Sequence, residues 1–381
     1  MGFTLGMGLN LLLLLAMVAT NILSLYHLSS SLQSPTPAPT SQQVPSHLLH
    51  QLNTIRATIN HLTRLHSSPP SSTTPATPTT PPSDLLLLSH LSPIPSSCHH
   101  YPHLLYTYMN YTPYSLCPPD TDNIAESLIL RGCHPLPRRR CFSSTPHKFP
   151  SSLPSNPFAL NLPSSTINWE KYSCKNFDCL NKLNTYLGFD NKIESTRFTG
   201  YKSELDLPIS QLIQISKTHN AILRLAIDVG GGTGTFAAHM KGYNVTVITT
   251  SMNLGAPYNE MISLRGLIPL HIPLQQRFPI FDGVVDLVRC GRAVNRWIPV
   301  TVMEFLFYDV DRVLRGGGYF WLDRFFSKGS DLEKVYGPLI QKLGYKKVKW
   351  ATANKTDSSG LKNGEVYLTA LLQKPMPRSS K

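Results

Sequence analysis

The sequence predicts an α/β protein: an open, mostly parallel sheet covered by helices on both faces, ending in an antiparallel C-terminal hairpin. Three observations carry this expectation. Short β-rich runs alternate with helical stretches downstream of residue 205, a glycine-rich loop directly follows the first run, and the sequence upstream shows no such alternation.

Residues 1–28 form the first segment. Leu5–Leu25 is apolar and uncharged, long enough to cross a bilayer as a helix, and predicts a transmembrane signal anchor. A cleaved signal peptide is the main alternative, but the run is long for one and no basic stretch precedes it. Myristoylation at Gly2 is excluded by Gly6 in the place of Ser or Thr. Residues 29–97 read as a stalk. Ser67–Pro82 is almost pure Ser, Thr and Pro, which offers no core and suits an extended, solvated chain. Within it, Leu48, Leu52, Ile55, Ile59 and Leu62 recur at helical spacing and predict a short amphipathic helix.

Residues 98–204 form a Cys-rich extension. Cys98, Cys117, Cys133, Cys141, Cys174 and Cys179 suit disulfides if this part faces a secretory lumen, with the pairing left open. Zinc ligation by Cys174 and Cys179 is a weaker alternative, since no second tight pair accompanies them; no metal is expected. Asn110, Asn244 and Asn354 begin glycosylation sequons, and Asn244 is expected to stay unmodified at the start of a core strand. The net charge of +13 lies mostly downstream of residue 150 and favours acidic partners. The longest basic run is Arg138–Arg140, so no nucleic-acid patch is expected.

Residues 205–375 carry the sheet. Strands are expected at Arg224–Val229, Asn244–Thr249, Leu267–Ile272, Gly283–Arg289, Gly318–Leu322, Lys346–Trp350 and Val366–Leu372. Helices are expected at Thr235–Lys241, Val300–Leu314 and Leu332–Leu343. In the second of these, Met303, Leu306, Phe307, Val310 and Leu314 share one side. The last two strands are joined too tightly for a helix and should pair antiparallel.

The loop after the first strand reads Asp228-Val229-Gly230-Gly231-Gly232-Thr233-Gly234, an acid-x-G-x-G-x-G form. A dinucleotide loop of the G-x-G-x-x-G form would place its last glycine at Thr235. This loop, the strand order and the Arg312–Gly318 turn resemble the Rossmann-like class I S-adenosylmethionine-dependent methyltransferases over about residues 205–375. The resemblance implies S-adenosylmethionine as cofactor. It implies that Gly230, Gly231, Gly232 and Gly234 pack against its methionine part and that Asp228 helps hold the methionine end.

A closer resemblance covers about residues 98–375. "GCHPLPRRRC", "YSCKNFDCL", "DVGGGTGTFAAHM", "NVTVITTSMN", "RGLIPLHIPLQQRFPIFD" and "LFYDVDRVLRGGGYFWLDRFF" together resemble a plant family of membrane-anchored methyltransferase-like proteins, distant relatives of the Golgi pectin methyltransferases. It implies a single-pass type II protein of the Golgi or another endomembrane, which could associate with other Golgi enzymes. It does not itself fix a substrate; the distant resemblance to the pectin methyltransferases and the positive charge together point to an acidic cell-wall polysaccharide as substrate class.

Two positions depart from the class I pattern. The acid that ends strand two and binds the ribose is replaced by Thr249, with Thr250 and Ser251 beside it. No acid follows strand three around His271–Gln276, where Gln275 or Gln276 could substitute. Thr249 and Ser251 therefore join the cofactor-binding candidates. The departures leave a catalytically silent scaffold as the alternative function, with a small-molecule or protein O-methyltransferase as a third. For the chemistry, a carboxylate acceptor needs cations rather than a base, which singles out Arg289 and Arg292 after strand four. A hydroxyl acceptor needs a base, and His271 is better placed than His239. Cys290 reads as a buried core thiol.

Overall fold

The computed structural model describes residues 81–91, 94–119, 121–144, 155–160, 162–184, 187–357, 360 and 363–376, with Leu23 and Arg56 upstream. The chain divides into two units, residues 1–75 and 76–381. The expected anchor, the amphipathic segment and nearly all of the stalk lie outside the described residues. Among the described residues, no helix is long and apolar enough to cross a membrane.

The second unit begins with four helices, α1 (Ser83–Leu91), α2 (Ser96–His99), α3 (Pro102–Met109) and α4 (Thr121–Leu130). They pack around Leu85, Leu105, Met109 and Leu128. Disulfides Cys98–Cys133 and Cys117–Cys141 staple this small cluster, which has too few apolar residues to be secure alone. Helix α1 falls inside the stretch expected to be stalk; Leu85 is buried there and Asp84 pairs with Arg140 at 2.7 Å. Further on, α5 (Phe177–Leu183) starts at Asn176, whose side chain accepts from Cys179 N, and Cys174–Cys179 forms the third disulfide. Asp190 caps α6 (Asn191–Glu194) by accepting from the Lys192 and Ile193 amides.

Helix α7 (Ile209–Thr218) leads into the sheet. The strands are β1 (Leu225–Val229), β2 (Thr246–Ser251), β3 (Ile268–His271), β4 (Val285–Cys290), β5 (Leu314–Lys328), β6 (Lys346–Asn354) and β7 (Glu365–Gln373). Between them lie α8 (Thr235–Lys241), α9 (Tyr258–Leu264), α10 (Val300–Val313), α11 (Gly329–Asp331) and α12 (Gly337–Gln341), the last two joined by a π-helical turn, Leu332–Tyr336. The order across the sheet is β3-β2-β1-β4-β5-β7-β6. Strands β1 to β5 are parallel, and β7 pairs antiparallel with both β5 and β6. This is the class I methyltransferase sheet.

Both faces are buried, so successive residues of one strand serve different cores. Ala226, Leu287 and Trp321 face α7 and α8 through Leu212, Phe236 and Met240. Their neighbours Ile227, Val288 and Phe320 face α10 through Met303, Leu306, Phe307 and Val310. The spacing of those four puts them on one stripe of the helix, as the period required. Strand β5 runs well beyond the expected Gly318–Leu322. It bulges between Leu322 and Phe325, where Arg324 takes a left-handed φ of 55°. Asn244 lies in the turn before β2, exposed and with φ 58°, because the strand starts at Thr246 rather than at Asn244. The expected reason for it to escape glycosylation therefore does not hold.

Candidate cofactor site

The glycine loop turns the chain from β1 into α8 at the carboxyl edge of the sheet, where ligands of open α/β sheets bind. Its amides are tied to β2: Gly230 N donates to Thr250 Oγ1 at 2.9 Å, and Gly231 N to the Thr250 carbonyl at 3.1 Å. Two glycines act differently. A Cβ on Gly231 would collide with Asp228 Oδ2 and Thr249 Cγ2, so this glycine lets the loop lie against the strand ends. A Cβ on Gly232 would meet nothing within 4 Å, and its φ is 59°, so this glycine leaves open space.

Beneath the loop lies a buried ion triad. Arg289, at the end of β4, donates from Nη1 to Asp228 Oδ1 at 2.5 Å and from Nη2 to Asp323 Oδ2 at 2.6 Å. Its guanidinium carbon lies 4.9 Å from the Phe198 ring centre and 5.2 Å from that of Phe236. Burial alone would lower the Arg289 pKa; the two carboxylates offset this and raise it, so the cation is permanent. The charge of Arg289 is thus committed within the protein. Asp228 is fully enclosed: Oδ1 belongs to Arg289, and Oδ2 is buried without a hydrogen bond.

A cleft of about 610 Å³ opens over this floor. Gly230–Thr233 and Gly291–Ala293 form one wall, and much of Leu187–Lys202, ahead of the sheet, forms the other. Asp228 is not part of its lining. Five cations are: Arg197, Lys202, Arg289, Arg292 and Arg324. Arg197 pairs with Glu194 at 3.1 Å, and Arg324 pairs with Asp206. Lys202 and Arg292 have no ion-pair partner among the described residues. Arg292 is exposed to solvent, yet the surrounding cleft lowers its pKa, and the neighbouring cations Arg197 and Arg324 add to the effect. Phe198 and Arg324, both lining the cleft, hold left-handed φ values of 60° and 55°, the kind of strain that collects at functional sites.

The other end of the sheet edge, over β2 and β3, is covered. Thr249 and Thr250 are buried, Ser251 nearly so, and Thr249 Oγ1 has no hydrogen-bond partner. Helix α4 lies across the strand ends. Glu126 Oε1 accepts from Asn253 N at 2.8 Å, and Glu126 Oε2 lies 2.8 Å from His271 Nε2. Gln275 Nε2 donates to the Leu130 carbonyl at 3.3 Å, and Gln276 Nε2 is 2.8 Å from His134 Nδ1.

The structure therefore separates the three candidates for the chemistry. Arg292 stands in the cleft, Arg289 forms its charged floor, and His271 is engaged by Glu126 outside the cleft lining. His239 is tied to the Glu194 carbonyl at 3.1 Å and stacks near Phe158, and burial lowers its pKa. Burial pushes the Cys290 thiol up, as expected of an inert core thiol. Sequence reasoning did not find Glu126, Glu194, Arg197 or Asp323. Glu194 and Arg197 sit in a segment with no periodicity, and Glu126 acts from a helix more than a hundred residues away from β2.

The site suits S-adenosylmethionine. It offers a glycine loop with open space at Gly232 and buried oxygens without hydrogen-bond partners at Glu194 Oε1 and Thr249 Oγ1. Comparison with known proteins agrees. The family model described as "Putative S-adenosyl-L-methionine-dependent methyltransferase" matches residues 133–352. A probable methyltransferase of Arabidopsis thaliana is 63% identical over 393 residues, 99% of this chain and 100% of that protein. Probable methyltransferase PMT16 of the same plant is 29% identical over 181 residues, 47% of this chain but only 27% of its own length. Among solved structures, N-methyltransferase NodS from Bradyrhizobium japonicum, in complex with S-adenosyl-L-homocysteine, is 13% identical with a TM-score of 0.32, covering 44% of this chain and 85% of that one. A Methanosarcina mazei S-adenosylmethionine-dependent methyltransferase is 12% identical with a TM-score of 0.33, covering 42% and 98%. With more than half of its residues matched by the family model and a relative alike along the whole chain, this protein belongs to the S-adenosyl-L-methionine-dependent methyltransferase family, together with its plant relatives.

Proposed function

We propose that this methyltransferase esterifies a carboxylate of an acidic polysaccharide in the lumen of the plant endomembrane system. One observation carries the acceptor class: two cations without ion-pair partners among the described residues, Lys202 and Arg292, line the cleft beside the glycine loop. A uronate carboxylate has an unperturbed pKa near that of Asp or Glu, about 4, so it is ionised at neutral pH and is already the nucleophile. It needs orientation rather than a base. Bound S-adenosylmethionine supplies an electrophilic methyl group on a sulfonium. The glycine loop would hold that cofactor, with Thr250 fixing the loop from beneath. Arg292, whose planar fork matches a carboxylate, orients the acceptor, and Lys202 adds a second positive contact. Arg289, neutralised by Asp228 and Asp323, shapes the floor without competing for the acceptor.

The lumenal placement is supported by three disulfides, which persist in oxidising compartments, and by the apolar run Leu5–Leu25. Asn110, Asn244 and Asn354 are all exposed and thus open to glycosylation in that setting.

The test is methyl transfer from labelled S-adenosylmethionine to a de-esterified polyuronate by the full chain. The expected product is an alkali-labile methyl ester on the polyuronate, with none on the fully esterified polymer, and Arg292→Ala should reduce its formation at least about tenfold. Alkali-stable methylation of a neutral glycan or a phenol would overturn the acceptor class.

A further inference from the structure

The cofactor's amino-acid end carries an ammonium and a carboxylate, and a site for it needs both signs of charge. On the sheet side of the cleft the charges are already paired, Arg289 with Asp228 and Asp323 and Arg324 with Asp206, and Arg292 is left for the acceptor. Asp228 is enclosed and bonded to Arg289, and Arg289 is shared between two carboxylates. The glycine loop offers backbone only.

Opposite the glycine loop, α6 and the residues after it do provide both signs. Glu194 is 1% exposed yet lines the cleft. Its Oε2 accepts from Thr235 Oγ1 at 2.5 Å, while Oε1 is buried and takes no hydrogen bond. Arg197 follows three residues on. Its Nε lies 3.1 Å from Glu194 Oε1, outside hydrogen-bond geometry, and its side chain is 37% exposed, so the guanidinium edge remains available in the cleft.

The pair is held rigidly against the loop. Thr233 Oγ1 donates to the Gly188 carbonyl at 2.8 Å, and Arg265, fully buried, donates to the Thr233 carbonyl at 2.9 Å and to Asn191 Oδ1. His239 Nε2 meets the Glu194 carbonyl at 3.1 Å. A buried carboxylate oxygen without a hydrogen bond is costly unless a partner arrives. Glu194 lines the same cleft as Gly231 and Gly232.

We propose that Glu194 and Arg197 bind the amino-acid end of S-adenosylmethionine, Glu194 Oε1 accepting from the ammonium and Arg197 donating to the carboxylate. The proposal rests on the cofactor assignment and adds a function for the segment ahead of the sheet: it supplies the charges that this subsite needs. No covalent step is involved.

Titration calorimetry on the full, oxidised chain tests it with two ligands. S-adenosylhomocysteine carries the amino-acid end, and 5′-methylthioadenosine keeps the thioether nucleoside without it. Arg197→Met, at a partly exposed side chain, should weaken S-adenosylhomocysteine about tenfold or more while leaving methylthioadenosine within about twofold, since a charge-assisted hydrogen bond is lost from one ligand only. Glu194→Gln, which keeps the shape and the Thr235 bond, should act in the same direction. Arg197→Lys should restore part of the loss. If the folded variants bind both ligands with the wild-type ratio, the proposal is overturned and the cofactor assignment stands. If the wild-type chain binds neither ligand, both fall together.

Discussion

The two regions that build the cleft contribute different things. Residues 205–376 contribute shape and the acceptor's cation: strand ends, a glycine turn, an arginine already neutralised by Asp228 and Asp323, and Arg292 in the loop after β4. Residues 83–204 contribute the charged wall that faces the glycine loop and closure, through Glu194 and Arg197 on one side and Glu126 over β2 and β3. A sheet that must bury both faces has little room for free charge, whereas a segment laid across its edge can present charged side chains without crossing a core. The lesson is that in this protein the fold places the cofactor, and the appended segment recognises it.

The largest expected effect lies on the sheet side. Arg289→Ala leaves Asp228 and Asp323 buried without their cation, and removing one partner of such a group costs about 3–5 kcal/mol. Chemical denaturation of the full chain should show a loss of that size in the transition reported by the buried Trp321. A loss below about 1 kcal/mol would mean that the triad is solvated and that the sheet also carries free charge, which breaks the contrast.

The next effect belongs to the other region. Cys98→Ser combined with Cys133→Ser opens a loop of sequence separation 35 in the α1–α4 cluster, and should cost that cluster about 2–4 kcal/mol. Hydrogen exchange should show faster amides in α3 and α4 with unchanged protection in β1 and β4. Equal loss in the sheet would show that the two regions unfold as one body.

A pair of glycine substitutions sharpens the division within the loop itself. Gly231→Val drives a side chain into Asp228 and Thr249 and should cost about 1–3 kcal/mol of stability. Gly232→Val faces open space, so its stability cost is the left-handed backbone alone, about 1–2 kcal/mol. Its main effect should be on S-adenosylhomocysteine affinity, by calorimetry, because the side chain enters the cleft. A folded Gly232→Val chain with unaltered affinity would place the ligand elsewhere.

The contrast also explains what could be read in advance. The strands, the α10 stripe and the glycine loop follow from local period and composition, so Ile227, Met303 and Gly232 were legible. The fate of Arg289 was not: its position after strand four suggested an acceptor cation, but its partners Asp228 and Asp323 come from two other strands. Helix α1 was hidden because a four-leucine run between Pro82 and Pro93 has no polar alternation, and only its packing on Leu105 and Met109 makes it a helix. Thr249 was read as a ribose contact by position. The structure adds that it is buried and registered beside Asp228, so Thr249→Asp would place two buried carboxylates side by side and should destabilise the chain rather than restore an acid.

The smallest expected effect separates the regions by acid. Asp84, in the α1–α4 cluster, is largely buried; burial works against its charge, but hydrogen bonds from Arg140 and Tyr111 outweigh this and hold its pKa below the ordinary carboxylate value. A folded pKa below the unfolded one means stability that is present above about pH 4 and lost as the pH falls through the folded value. Arg140 is 45% exposed, so water screens the pair and the contribution is modest. Melting of the wild-type chain and of Asp84→Asn between pH 6 and pH 2 should therefore differ slightly at neutral pH, with the wild type higher, and converge as the carboxylate is protonated. Asp206, paired with Arg324 in the cleft, has its pKa lowered in the same direction and titrates in both proteins, so it cancels in the comparison. A difference that stays constant down to pH 2 would assign the Asp84 contribution to packing instead of charge, and would remove Asp84 as a paired carboxylate through which acid is expected to loosen the helical cluster.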